Sequence, residues 1–388
     1  MKQHMRVATL LVATWATLMP GLVLADAGCG LPSAGDDHWP VAAPESVGLA
    51  GATLCPMVKW LDDAKESNVH AVLVVRHGTL VFEHYFAGSD QMLGWPVRQL
   101  GDVTFGPDTR HDERSVSKSI VALVLGIAID RGLINGLDAS VLSFFPEYAD
   151  LATPAKDRIT LRDLITMSAG LEWREAGPQN TSDAILYVPD PSRYALQQAV
   201  VAPPGRVFNY SSGLTELIGA VLKKATGKPV DELARAWLFA PLGITDVEWA
   251  RDAKGDPLAS AGLRLRPRDL AKIGQLVLQH GVWNDAQVVP AAWVEAATNP
   301  QIDVSYLSPL SCFYGYYFWL GRSLIDKHAV EWVAAIGLGG QLLYIVPALD
   351  LVVVVNAGGY AIPFTRMYTA PTTILNQYVL EATTPHRD

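Results

Sequence analysis

The chain has 388 residues, half of them hydrophobic and 18% charged, with a formal net charge of -9 at pH 7. This length accommodates one large domain or two closely joined domains with an extensive core. The negative charge and the lack of a basic cluster argue against nucleic acid or an anionic membrane as a partner. The nine histidines form neither a His-Glu-x-x-His nor a close His-x-His motif, so the sequence predicts no metal site and no cofactor.

Residues 1–25 are predicted to be a secretory signal peptide. Lys2 and Arg6 precede an apolar run over residues 7–24, and small residues follow at Ala25 and Ala27, which is typical of a cleaved leader. Cleavage would remove Lys2 and Arg6 and change the net charge from -9 to -11. The mature protein is therefore expected to be periplasmic or secreted, without stable membrane insertion, although the run is also long enough for a retained anchor.

The three cysteines are Cys29, Cys55 and Cys312. In an exported protein, Cys29 and Cys55 could form a disulfide that ties down the N-terminal arm. Lipid attachment at Cys29 is an alternative, but Asp26 stands where such sites have an aliphatic residue. No feature indicates a thiol nucleophile.

Strands are predicted near both ends of the chain. Residues 71–86 contain two apolar, β-branched runs on either side of His77-Gly78, which indicates a hairpin. Residues 342–346 and 351–355 form a second such pair, and the aromatic run 316–319 is predicted to be a neighbouring strand.

Between these strands the pattern is helical, with caps and glycine stops at the segment ends. One helix is predicted to start at the Ser115 motif and to be closed by Arg131-Gly132, and the other segments predicted as helices are 160–170, 214–225, 230–239, 266–280 and 290–297. Strands at both ends with helices between them predict an α/β fold. After the leader, residues 26–388 would form one unit, with an α/β part from about 41–105 and 256–388. A mostly helical part, about 106–255, would be inserted, with the active site between the two parts.

The first candidate site is Ser115-Val116-Ser117-Lys118, at the start of the helix that Arg131-Gly132 is predicted to close. A serine three residues before a lysine lies on the same helical face, where a neutral lysine can take the hydroxyl proton. Burial and the positive helix N-terminus both lower a lysine pKa. A serine cap with a solvated lysine would explain the motif alone equally well. The helix is apolar on nearly every side, however, and this favours a buried pair.

Tyr210 is the candidate for a further proton relay, because the leaving group must be protonated and a water later activated. It lies in a polar loop directly before the helix predicted over 214–225, where Ser211 or Ser212 can cap that helix. Without the Ser115 motif, an aromatic residue anchoring a loop would be the simpler interpretation.

The oxyanion of a tetrahedral intermediate needs two N–H donors, one of which would come from Ser115 itself. The glycine-rich stretch 335–341 runs into the strand predicted over 342–346 and offers a second donor. A tight turn without function is the alternative interpretation of this stretch.

At this point the sequence resembles a known family, from about residue 41 to residue 378. The family comprises the class C serine β-lactamases, the D-alanyl-D-alanine carboxypeptidases, related esterases and 6-aminohexanoate-dimer hydrolases. The likeness rests on three motifs in the family's order, Ser115-Val116-Ser117-Lys118, Tyr210-Ser211-Ser212 and Ile336-Gly337-Leu338.

The resemblance implies a β-lactamase/transpeptidase-like fold, with an antiparallel sheet flanked by helices. It implies Ser115 as the acylated nucleophile, Lys118 as its base partner and Tyr210 as the proton relay. Leu338 would supply the second oxyanion N–H, and Ser212 and Gly337 would line the substrate site.

Two departures from the family pattern bear on the substrate. Ala335-Ile336-Gly337 replaces the Lys-Thr-Gly or His-Thr-Gly of true β-lactamases and carboxypeptidases, and Ser212 replaces an asparagine. The missing cation and hydroxyl help to hold a substrate carboxylate, a contact worth about 1.5–3 kcal/mol. The pattern is therefore closer to the esterase and aminohexanoate-hydrolase branch.

The sequence predicts an exported serine hydrolase that cleaves an ester or a small amide through a Ser115 acyl-enzyme. One alternative is β-lactamase or D-alanyl-D-alanine carboxypeptidase activity. A further alternative is a non-catalytic binding protein on the same fold. An α/β-hydrolase is disfavoured because the chain has no Gly-x-Ser-x-Gly.

Overall fold

The computed structural model describes residues 29–37, 39–94, 96–177, 180–185, 187–307 and 311–383. The predicted signal peptide lies outside these residues. The strands are β1 (Val69–Arg76), β2 (Thr79–Tyr85), β3 (Ala87–Met92), β4 (Arg98–Thr104), β5 (His111–Asp112), β6 (Glu248–Trp249), β7 (Leu263–Leu265), β8 (Val282–Trp283), β9 (Ala286–Gln287), β10 (Ile302–Asp303), β11 (Ser311–Tyr314), β12 (Trp319–Ile325), β13 (His328–Gly337), β14 (Gln341–Val346) and β15 (Leu351–Ala357).

The α-helices are α1 (Gly51–Leu54), α2 (Pro56–Asp63), α3 (Val116–Asp130), α4 (Leu161–Ile165), α5 (Thr181–Ile185), α6 (Pro191–Gln197), α7 (Ser212–Thr226), α8 (Val230–Ala234), α9 (Pro267–Leu278), α10 (Ala291–Ala297), α11 (Phe364–Met367) and α12 (Thr369–Thr373). Arg235–Phe239 and Ile374–Leu380 are π-helical. Short 3₁₀ helices cover Pro44–Val47, Lys65–Ser67, Val141–Phe144, Pro146–Leu151, Lys156–Arg158, Pro347–Leu349, Gly359–Ala361 and Glu381–Thr383.

The main sheet is antiparallel and has the strand order β10-β11-β12-β13-β14-β15-β1-β2. β15 pairs directly with β1, for example Val355 with Val72. The first and last strands of the sequence are therefore neighbours inside one sheet. β14 and β15 are buried along their whole length, which explains why they read as continuous apolar runs rather than as alternating patterns.

Helices cover both faces of this sheet. One core lies between the sheet and the layer that includes α3, α7 and α9, and a second lies between the sheet and the layer that includes α2 and residues 374–380. The antiparallel sheet with flanking helices is the α/β, β-lactamase/transpeptidase-like fold that the sequence predicts. The division into an α/β part and an inserted helical part stays a prediction.

Helix α3 is the centre of the first core. Every residue from Val116 to Ala128 is buried, as the apolar pattern predicts. The helix ends at Asp130 with Arg131 as its C-cap, and Gly132 follows with a φ of +69°, a left-handed conformation that glycine adopts at helix ends.

The predicted hairpins are confirmed as β1–β2 and β14–β15. The strand predicted over 316–319 is wrong, because only Trp319 among these residues is paired. Trp319 is the first residue of β12, which continues to Ile325. Instead, the Tyr316 N–H donates to the Ala297 carbonyl.

The helix predicted over 160–170 has its capping box but ends at Ile165, since Met167 already has a φ of +55°.

The other predicted helices are confirmed, with ends that differ by a few residues. The segment 230–239 is α-helical only to Ala234 and π-helical from Arg235 to Phe239.

Cys29 and Cys55 form the predicted disulfide. Among the described residues, no helix is both long and apolar enough to span a bilayer.

Candidate active site

Ser115 lies at the N-terminal end of α3, directly after Arg114, whose φ is +50°. Large side chains rarely adopt this left-handed backbone conformation. The Arg114 guanidinium lies 4.5 Å from the centroid of the Tyr360 ring, and its Nε lies 3.6 Å from the Asp112 carboxylate. The Ser115 side chain does not cap its own helix, so its hydroxyl is directed to another partner.

That partner is Lys118. Its amine donates to the Ser115 hydroxyl at 2.9 Å and to the Ser260 carbonyl at 2.8 Å. The three-residue spacing places both side chains on one helical face. The structure therefore brings the predicted nucleophile and base into direct contact.

The Lys118 side chain is only 1% exposed. This burial lowers its pKa to about 8, although the nearby carboxylates of Glu175 and Glu216 oppose the shift. A buried ammonium is disfavoured because it loses its hydration. A lysine with such a pKa is partly neutral near pH 7 and can accept a proton.

Tyr210 lies beside this pair, with the Lys118 amine 5.1 Å from its ring centroid. Burial raises the pKa of the Tyr210 phenol, and the charge of Glu175 adds to this effect. The phenol therefore stays protonated near neutral pH. Its ring stacks on Trp319 with centroids 5.9 Å apart.

Ser211 and Ser212 follow Tyr210 at the start of α7 and have different partners. The Ser211 hydroxyl caps the helix by accepting from the Leu214 N–H at 3.4 Å, as one of the two predicted cap positions. Ser212 donates both its N–H and its hydroxyl to the carboxylate of Glu175. Trp173 donates to the same carboxylate at 2.7 Å.

The third motif lies at the end of β13. A Cβ atom at Gly337 would lie 2.4 Å from the Glu113 carbonyl oxygen and 3.2 Å from the Arg114 Cβ. Only glycine lets the strand end approach the segment before Ser115 so closely. The structure therefore brings the first and third motifs together.

This end of β13 has an open edge. β12 pairs with β13 from His328 up to Ala334, so residues 335–337 have no partner in β12. Leu338 follows them and is 44% exposed. A substrate carbonyl can therefore approach this strand end.

The aromatic residues near the cleft divide into two groups. Tyr314, the last residue of β11, and Tyr316, in the turn before β12, are both buried and belong to the core. Trp319 is half-buried and lies against Tyr210, so it borders the site.

Sequence reasoning did not identify Glu216 and Ser260 as neighbours of Lys118. Glu216 was detectable as a carboxylate among buried positions of α7, but nothing in the sequence indicates that Ser260 approaches Lys118. A second missed group is the buried chain from Glu113 through Asn356 to Gln341, with contacts of 3.1–3.2 Å.

Comparison with known proteins agrees with this geometry. The profile of the family described as Beta-lactamase matches residues 61–362. The chain belongs to this family. It is a serine hydrolase of the β-lactamase family, a name that covers more activities than β-lactam cleavage.

Two characterised relatives are hydrolases. The chain is 26% identical over 315 residues to a 6-aminohexanoate-dimer hydrolase from Paenarthrobacter ureafaciens, covering 75% of this chain and 72% of the relative. It is 31% identical over 186 residues to the esterase EstB from Burkholderia gladioli, covering 45% of each chain. The match thus spans less than half of the esterase.

Among solved structures, a putative 6-aminohexanoate-dimer hydrolase from Bacillus anthracis is similar in fold. The TM-score is 0.66 at 24% identity, and the match covers 82% of this chain and 80% of that structure.

Proposed function

We propose that this protein hydrolyses a carboxylic ester or a small amide through an acyl-enzyme on Ser115. The observation that carries this proposal is the 2.9 Å contact between the Ser115 hydroxyl and a buried Lys118 amine whose pKa is lowered to about 8. A serine hydroxyl is a weak nucleophile until a neighbouring base removes its proton.

In the acylation step, neutral Lys118 takes the Ser115 proton while the Ser115 oxygen attacks the substrate carbonyl carbon. The carbonyl π electrons move to oxygen, and the N–H groups of Ser115 and Leu338 stabilise that oxyanion. As the carbonyl re-forms, the bond to the leaving group breaks. Tyr210 donates its phenolic proton to the leaving group and recovers one from the Lys118 ammonium.

In the deacylation step, a water molecule attacks the acyl carbon and its proton passes to neutral Lys118, either directly or through Tyr210, which gives its phenolic proton to Lys118 as it takes one from the water. The Ser115 oxygen leaves, takes a proton back and restores the free enzyme. Each proton that is removed in one step is thus returned in the next.

The residues at the end of β13 favour an ester or amide substrate whose binding does not depend on a carboxylate of the substrate. Ala335 is buried and carries no charge, where a β-lactamase has the cation of its third motif. The names of the two relatives, an esterase and a 6-aminohexanoate-dimer hydrolase, agree with this substrate class.

The protein is further proposed to be exported, on the basis of its N-terminal sequence. The Cys29–Cys55 disulfide supports this, because such bonds persist in oxidising compartments. Mass spectrometry of the N-terminus after expression with and without a secretion inhibitor tests it. A mature chain that starts at residue 26 or 28 is the expected result, and an intact Met1 in both samples would contradict it.

The test of activity is the hydrolysis of 4-nitrophenyl butyrate and of nitrocefin by the wild type and by Ser115→Ala. We expect ester turnover with an initial burst that is absent in the variant, and little nitrocefin cleavage. Rapid Ser115-dependent nitrocefin cleavage would favour a β-lactamase instead. Equal ester turnover by both proteins would refute the role of Ser115.

A further inference from the structure

The acceptor turn, residues 258–261, lies directly against the catalytic lysine. The Ser260 carbonyl accepts from the Lys118 amine at 2.8 Å. This is the second hydrogen bond of Lys118, beside the one to the Ser115 hydroxyl. The position of one backbone carbonyl therefore helps to decide where the amine lies.

The acceptor turn is held from two sides. The Trp249 indole donates to the carbonyls of Leu258 and Ala261 at 2.8 and 3.1 Å. The Glu216 carboxylate accepts from the N–H groups of residues 259 and 260 at 3.0 and 2.9 Å. Glu216 takes one N–H with each of its oxygens, which an amide side chain cannot do because it has a single acceptor oxygen.

The packing leaves this turn little freedom to move. A Cβ atom at Gly219 on α7 would lie 2.7 Å from the Ala259 Cβ, so glycine lets the turn rest on the helix that carries Glu216. Ala259 and Ser260 are themselves buried. Glu216 therefore joins α7 to the turn at its closest approach.

We propose that Glu216 is a positioning residue for the reaction of the preceding section: its carboxylate fixes the acceptor turn, and the Ser260 carbonyl in turn fixes the Lys118 amine at the Ser115 hydroxyl. Glu216 acts on the reaction only through the turn and through its charge. This inference rests on the proposed function of Ser115 and Lys118.

The groups around Lys118 set the sign of the expected effect. Glu175 and Glu216 both raise the Lys118 pKa against the effect of burial, and the Tyr210 ring face lies 5.1 Å away. Burial also raises the pKa of Glu216, while its hydrogen bonds from the turn and the charge of Lys118 oppose that shift. Removing the Glu216 charge and loosening the Ser260 carbonyl both destabilise the ammonium form, so both lower the Lys118 pKa.

The experiment compares Glu216→Gln with Glu216→Asp and with Glu232→Gln, which alters an exposed carboxylate on α8. We expect Glu216→Gln to lower kcat for 4-nitrophenyl butyrate about 10- to 100-fold, because misplaced catalytic groups cost rate. KM should change little, and the midpoint of the pH–rate profile should fall. Glu216→Asp keeps the charge but is one methylene shorter and loosens the turn, so its midpoint should lie between those of the wild type and Glu216→Gln, while Glu232→Gln should resemble the wild type throughout.

A second measurement does not depend on turnover. The titration of Lys118, followed by NMR of lysine labelled at Cε and assigned with Lys118→Met, should have a midpoint lower in Glu216→Gln by about half a pH unit or more. If Glu216→Gln lowered the thermal stability but left kcat and the midpoint of the Lys118 titration unchanged, the inference would be overturned and Glu216 would be a structural residue. If the wild type showed no Ser115-dependent turnover, the proposed function would be refuted. The NMR titration of Lys118 would still decide the role of Glu216.

Discussion

The two sides of the site differ in how far they are exposed to solvent. On the helix side, Lys118 is 1% exposed and is fixed by hydrogen bonds to Ser115 and Ser260. On the strand side, Leu338 is 44% exposed and residues 335–337 have no partner in β12. Burial on the helix side lowers the pKa of the proposed base, whereas the open strand end leaves room for the proposed substrate. Changes on the helix side should therefore abolish the chemistry, and most changes on the strand side should reduce or redirect it.

The largest expected effect of the four that follow is that of Lys118→Met. Methionine fills a similar volume without a charge or a proton acceptor, so the core should tolerate it while the base is lost. We expect kcat/KM for 4-nitrophenyl butyrate to fall about 10³- to 10⁴-fold, at the upper end for general-base catalysis. Thermal unfolding of the variant should show a folded protein. A loss below tenfold would assign the base to another residue.

Removing an N-H donor on the strand side comes next. Leu338→Pro deletes the proposed oxyanion N–H, and such donors contribute about 10²- to 10³-fold to kcat. Leu338→Ala keeps the N–H and trims only an exposed side chain, so it should stay within about threefold of the wild type. Both are measured by steady-state ester kinetics. Equal losses in the two variants would show that the side chain matters rather than the donor.

Gly337→Ala tests the contact between the two sides. Its Cβ would lie 2.4 Å from the Glu113 carbonyl oxygen, so the strand end must move away from the segment before Ser115. We expect kcat/KM to fall about tenfold or more and the free energy of unfolding to fall by about 1–3 kcal/mol. Gly106→Ala is the control, because a Cβ there meets nothing within 4 Å. Similar results for both variants would refute the contact's importance.

The smallest effect concerns pH. Only neutral Lys118 can act as the base, and its pKa is about 8. We therefore expect kcat/KM for an uncharged ester to rise with pH, with a midpoint near 8, and to level off above it. Glu175 raises the Lys118 pKa, so Glu175→Gln should move the midpoint to lower pH. Glu172→Gln, in an exposed position of the same loop, should leave it unchanged. An unmoved midpoint in Glu175→Gln would show that Glu175 does not act on Lys118.

The predictable part of the site is local in sequence. The Ser115–Lys118 pair follows from helical spacing and from an apolar helix, and the cap at Ser211 follows from its place before α7. The partners that join distant segments were not predicted. Glu216 reaches a turn more than 40 residues later in the sequence, and Ser260 reaches Lys118 across 142 residues.

The strand prediction over 316–319 failed for a related physical reason. Aromatic residues favour strands as residue types, but whether they pair depends on which neighbouring backbone is free to bond them. Here the Tyr316 N–H bonds to Ala297 after α10, and the ladder starts only at Trp319.

The sequence by itself determined which groups we propose to carry the chemistry: a serine and a lysine on one buried helical face, a tyrosine before a capped helix and a glycine-rich strand end. Helical periodicity, caps and apolar runs are properties of neighbouring residues, so they can be read without the fold. The tertiary structure alone decided the pKa of Lys118, because burial and the charges of Glu175 and Glu216 arise only when distant segments pack together. It also decided that Gly337 lies against Glu113, since that contact joins the last third of the chain to the start of α3.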